Sequence, residues 1–87
     1  MTRILPLGAK AALSTGDSNA TTVGNATVVR VLSNAGAALV VRTDSDDNII
    51  GSYTSVSGAA DLVEKNASDK IYVTGNAVEV SKVGFTN

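Results

Sequence analysis

The chain is 87 residues long and carries seven basic and eight acidic side chains, a net charge of −1, with no cysteine and no histidine. This composition excludes a disulfide framework, leaves out the usual zinc and transition-metal ligands, and lacks the basic stripe with exposed aromatics that a nucleic-acid binder presents. The length bounds the chain to one small domain, near the size at which a single apolar core is only just sufficient.

The 44% hydrophobic content overstates the core, because 12 of those residues are alanine and only Tyr53, Tyr72 and Phe85 are aromatic. Alanine removes little area from water, so the apolar stabilisation per residue is low, and a weakly stable monomer that another copy or another protein completes is expected.

Residues 1–14 are apolar and then mixed, and Pro6 bars that point from a central strand. Three arrangements are open to such an arm: an edge strand of its own domain, an extension onto a neighbour, or disorder. Pro6 and Lys10 break the apolar piece before the core of a secretory signal forms, which argues against secretion and removes the meaning of the sequons at Asn19, Asn25 and Asn66. No apolar run reaches the roughly 18 residues of a membrane-spanning helix, so no membrane partner is expected. Residues 15–25 are nearly all turn formers and read as a loop, with 21–23 as a possible short strand.

The stretch 27–56 is the organising feature, with three runs rich in β-branched residues separated by Ser33-Asn34-Ala35-Gly36 and by Asp44-Ser45-Asp46-Asp47-Asn48. That is the pattern of an antiparallel meander. In 27–33, Val29 and Val31 share one face while Val28, Arg30 and Leu32 share the other; in 37–43, Leu39 and Val41 oppose Val40 and Arg42. Apolar residues on both faces predict partly covered, central strands. If the two runs pair through the 34–36 turn, Arg30 and Arg42 lie on a solvent or partner face, either as solvated charges or in an intersubunit salt bridge.

The acidic tip invites a metal reading, since Asp44, Asp46 and Asn48 place oxygen ligands at alternate positions as a calcium loop does. Ile49 stands where that loop needs glycine and Ser55 where it needs glutamate, so an EF-hand is excluded. Asp and Asn are also what hairpin geometry selects, and a plain turn with no metal is expected. Residues 49–56 follow as a strand in which Gly51 marks a bulge or a close backbone approach. Residues 60–65 contain helix formers but are too few and read as a strand; 70–74 and 78–84 alternate as strands with turns between. Turn signals at intervals of roughly 8–12 residues predict an all-β domain, a small antiparallel β-sandwich or barrel of about 6–8 short strands. The organisation expected is an N-terminal arm and loop over 1–24 and the β domain over 25–87.

No catalytic centre is expected. Histidine and cysteine are absent, no nucleophile-elbow or phosphate-binding glycine pattern occurs, and Asp61 and Glu64 read as two surface charges of one short element. No cofactor is implied.

From Asn25 onward the chain resembles the small structural proteins of tailed-bacteriophage virions, of the marine and cyanobacterial phage type. The matching positions are Asn25-Ala26-Thr27, Val29-Arg30-Val31, Ile50-Gly51-Ser52, Glu64-Lys65, Asp69 and the closing Lys82-Val83-Gly84-Phe85. The likeness covers about two-thirds of the chain; the first 24 residues have no counterpart, and Asn66-Ala67-Ser68 stands where relatives often carry a proline. The resemblance implies a virion protein made in the host cytoplasm and mounted on the capsid surface as a head decoration or cement protein. Its partners would be the major capsid protein, other virion proteins or its own copies. Ile4, Leu5 and Leu7 of the arm, with Arg30 and Arg42, are then the expected interface. Two alternatives are a neck, tail or baseplate component, and a receptor- or carbohydrate-binding module, the latter weakened by the shortage of aromatics to stack on sugars. The thin core predicts that the isolated chain, if monomeric, melts well below about 80 °C in calorimetry.

Overall fold

Period-two alternation of valine, isoleucine and leucine with polar residues builds half-buried strands, and short turns between them leave no room for crossover helices. The computed structural model describes residues 3–86; Met1, Thr2 and Asn87 lie outside it. Eight strands occur among the described residues: β1 (Arg3–Pro6), β2 (Ala11–Leu13), β3 (Val28–Leu32), β4 (Ala38–Thr43), β5 (Ile49–Ser55), β6 (Ala60–Glu64), β7 (Lys70–Thr74) and β8 (Val78–Thr86). A 3₁₀ turn at Asp17–Asn19 is the only helical element described. The strands form two antiparallel sheets, one of five strands in the order β1-β8-β3-β6 with β2 also on β8, the other β5-β4-β7. The expected all-β sandwich is the fold observed.

The meander expected over 27–56 is only half present. β4 and β5 form a hairpin, but β3 pairs with β6 and β8, whereas β4 pairs with β5 and β7. The link after β3 therefore carries the chain from one sheet to the other. Ser33 is fully buried there, and its hydroxyl donates to the Gly36 carbonyl at 2.6 Å. The link from β7 to β8 makes the same crossing beside it, and the Asn76 amide donates to the Ala37 carbonyl at 2.8 Å. Gly36 has φ of 139°, and a Cβ there would lie 2.7 Å from Asn76 Nδ2, so glycine meets both the backbone and the space requirement. Crossing wins over a hairpin because Val29, Val31, Ala38 and Val40 are then buried face to face, between the sheets.

Of the arm and loop expected over 1–24, the described residues from Arg3 onward are paired into the sandwich, β1 and β2 as edge strands of the chain's own domain. β1 runs along 83–86 of β8 and β2 along 78–80 of the same strand. The segment after β2 then reaches the second sheet through bridges from Thr15 to Val73 and from Thr21 to Ile71. Gly16 N–H donates to the Val73 carbonyl at 2.8 Å, and Thr21 and Ile71 exchange backbone hydrogen bonds at 2.8 and 3.0 Å. The free edge of β7 is covered in this way. One side of the sandwich is closed by residues 15–21 and the other, where β5 passes into β6, is left with two free edges.

Leu13, Ala26, Val29, Val31, Ala38, Val40, Ile71, Val73, Val78 and Val80 make one buried cluster, with Val23, Tyr53 and Val63 packed against it. Ile71 is the largest fully buried side chain. Replacing it with alanine removes volume that valine neighbours are too short to refill, so Ile71→Ala is expected to cost about 2–5 kcal/mol in urea unfolding, a large share of the roughly 5–15 kcal/mol available to a domain.

Candidate interaction surface

Charged side chains that looked free in the sequence are in part used inside the chain. Arg42 lies on the inward side of β4, level with Gly51 of β5 and Ile71 of β7. Its guanidinium donates to Asp69 Oδ2 from Nε at 2.9 Å and from Nη2 at 2.6 Å. The Asp69 side chain is only 5% exposed, and the same oxygen accepts from the Asn66 backbone N–H at 3.1 Å. Lys65, itself buried, completes the cluster by donating to the Asn66 and Ala67 carbonyls at 3.2 and 3.3 Å. The Asp69 carboxyl is held below its ordinary value of 3.8, first by the hydrogen bonds from Arg42. Burial pushes the Lys65 ammonium down, with the nearby Asp69 charge opposing. Asp69 N–H also closes the 66–69 turn on the Asn66 carbonyl at 3.0 Å, so the turn forms without proline. Arg42, expected on a solvent or partner face, is thus the anchor of an intrachain ion pair.

Arg30 is placed differently. It sits half-buried on the outward face of β3, across from Leu62 of β6 and Ser81 of β8, and makes no ion pair among the described residues. The two arginines belong to different sheets and do not meet.

At the acidic tip the Asp44 carboxylate is already committed to the turn. Its Oδ1 accepts from the backbone N–H of Asp46 and Asn48 at 2.9 and 3.0 Å, and its Oδ2 from the Asn48 side-chain amide at 3.1 Å. Hydrogen bonding to Asn48 leads in holding the Asp44 carboxyl low. Asp47 takes the left-handed position at φ 67° and accepts from Lys70 Nζ at 3.0 Å. These bonds are those of an Asx-type turn.

The apolar arm residues are exposed, Ile4 at 47%, Leu5 at 45% and Leu7 at 52%. β3 is paired with β8 only over 79–82, so 83–86 of β8 have β1 as their ladder partner and the two form a ribbon extending past β3. Successive residues of a strand point to opposite faces, so Ile4 and Leu5 put one exposed apolar side chain on each side of this ribbon. Leu7 N–H donates to the Lys82 carbonyl at 2.9 Å, and its side chain lies over Gly84, where a Cβ would be 3.2 Å from Leu7 Cδ1. Lys82 Nζ reaches the Gly24 carbonyl at 3.0 Å, and Val83 is buried, so the closing Lys-Val-Gly motif is the foundation of the ribbon.

A second set of exposed apolar side chains, which sequence reading did not single out, lies around the β5 and β6 edges. Leu39, Ile49, Ile50, Val56 and Leu62 are all exposed on or beside β5 and β6. Between the sheets there, Val40, Arg42, Ile50, Tyr53 and Val63 are among the residues lining a cleft of about 250 Å³. The Tyr53 hydroxyl is buried in the wall without a hydrogen-bond partner, and burial, with Asp61 adding to it, pushes it up to about 12. Asp61 accepts from Ser55 Oγ at 3.1 Å. The signal for this surface in the sequence was the absence of any charge over 48–58.

Comparison of the chain with protein-family models, with curated proteins and with solved structures found no match.

Because the folded Asp69 titrates below its unfolded value, the stability it contributes is complete above that unfolded value and is lost as pH falls through the folded one. Thermal melts between about pH 6 and about pH 2 should show wild type losing stability below about pH 4, with a shallower loss in Asp69→Asn, which starts from a lower melting point. At neutral pH Arg42→Ala is expected to lower the melting point more than Arg30→Ala, since it leaves a buried carboxylate short of its partner.

Proposed function

We propose that the protein is a structural component of a tailed-phage virion, a capsid decoration protein that binds the shell through the β1–β8 ribbon. The observation that carries this reading is the ribbon itself, a two-stranded extension with Ile4, Leu5 and Leu7 exposed and apolar side chains on each of its faces. Apolar side chains on both faces suit a groove that closes around the ribbon better than a flat surface, and a capsomer seam supplies such a groove. The resemblance of residues 25–85 to small virion proteins supports the same assignment. The charged groups Arg42, Asp69, Asp44 and Asp47 are held in structural bonds, which favours a binding role over catalysis.

Leu5→Asp and Leu7→Asp each place a charge in a contact that must be dry, yet both sites are exposed in the free chain, so folding is spared. In co-sedimentation with decoration-stripped heads, wild type is expected in the pellet and both variants in the supernatant with unchanged circular dichroism; binding by the variants at wild-type level would sink the ribbon's role. Quantitative mass spectrometry of particles should find on the order of hundreds of copies. A count of about a dozen points to the neck, tail or baseplate instead.

A further inference from the structure

β5 differs from the other strand edges in having nothing to deter a partner. β1 and β2 are short edges, of four and three residues, and the edge of β7 is covered by the bridges from Thr15 and Thr21. β6 is open but carries Asp61 and Glu64 within five residues, so two copies paired along it would bring four carboxylates together. β5 is seven residues long and pairs only with β4. It bears no charge, and none occurs anywhere over 48–58. Its bulge, opposite Arg42 and Thr43, displaces only the Ile49–Ile50 end and leaves 51–55 in regular register with 38–42. Unpaired backbone N–H and C=O groups on a regular, neutral edge are a template for another strand.

We infer that β5 is a self-association edge, along which a second copy of this chain adds its own β5 antiparallel about a twofold axis, joining two three-stranded sheets into one of six. A twofold brings the same patch of each copy onto itself, which is the requirement an antiparallel strand edge meets. Centred on Tyr53, the midpoint of the regular stretch, the pairing sets Ser52 opposite Thr54 of the other copy, Gly51 opposite Ser55, and the two Tyr53 rings side by side. Hydroxyl pairs and aromatic pairs are favourable cross-strand neighbours, and no like charges face each other along the paired β5 strands. Exposed Ile49, Ile50 and Val56 lie at the ends of the joined stretch, where the second copy covers them. The ribbon is left free, so shell binding and self-association use opposite sides of the molecule.

Sedimentation velocity on the full chain, from about 1 µM to about 1 mM, tests this. Wild type is expected to pass from monomer to dimer. The double variant Ser52→Lys/Thr54→Lys, which places lysines opposite one another in the proposed register, is expected to weaken the dimer at least about tenfold, whereas Leu5→Asp in the ribbon leaves it unchanged. Hydrogen exchange on wild type gives a readout that needs no variant: amides within 51–55 should become slower to exchange as concentration rises, while those of 4–5 do not. A wild type that stays monomeric throughout overturns the inference. So does a dimer that Leu5→Asp disrupts and the lysines do not, or a dimer without concentration-dependent protection in 51–55. These outcomes are independent of whether the ribbon binds a capsid.

Discussion

Two sheets face each other across a layer filled by valine, alanine, one leucine and one isoleucine, and the rest of the structure depends on that thin contact. Small side chains pack closely but contribute little area each, so nearly every inward position has to be used. This is why successive strands so often change sheet. β3 to β4, β5 to β6, β6 to β7 and β7 to β8 all cross, and only β4 to β5 folds back on its neighbour. Each crossing places one strand's apolar face against the next one's, and the crossings at 33–37 and 75–77 support each other through Asn76 and Ala37.

The end of the sandwich where β6 passes into β7 solves the related problem of finishing a small core with polar groups. Arg42 enters from β4, Asp69 from the turn before β7, and Lys65 from the end of β6, with backbone groups of 66 and 67 taking the remaining bonds. A buried ion pair of this kind is costly to desolvate and adds little net stability against an apolar alternative, but it is costly to break and defines one arrangement of the three segments. Glu64-Lys65 and Asp69 sit in or beside this cluster. The closing Lys-Val-Gly motif likewise anchors the ribbon. These short segments are therefore mainly structural, and the exposed apolar side chains lie instead at Ile4, Leu5 and Leu7 and along the β5 edge.

Those two surfaces lie on opposite sides because the chain closes one side and not the other. Residues 15–21 seal the β7 edge beside β2 and β8, and among the described residues the ribbon is the extension there. On the other side the 56–59 turn and the Ser55–Asp61 hydrogen bond link β5 to β6, and Tyr53 and Val63 each pack against the core. A protein with an apolar extension at one side and an open neutral edge at the other is suited to building contacts in two directions.

Much of this was legible in the linear chain. Alternation in 28–32, 38–43, 49–55, 60–64, 70–74 and 78–84 is local, set by the need of each strand to bury one face, and so the strands and the all-β class could be read directly. The apolar arm residues were visible for the same reason, since Ile4, Leu5 and Leu7 fall together between Arg3 and Lys10 with no charge among them. Partner choice was not local. Ser33 to Gly36 has the residues of a hairpin turn, and nothing in those residues distinguishes folding back within a sheet from crossing to another; the match of inward faces across the whole sandwich made that decision. The same holds for Arg42, whose partner stands 27 positions later and is brought to it only when β4 and β7 pair. The sequence by itself determined where the strands from β3 to β8 occur and which of their faces must be buried, because those follow from the pleat and from hydrophobicity. Only the tertiary structure decided which strands are neighbours, which charges are satisfied inside and which edge stays open, because those depend on surfaces that distant segments bring together.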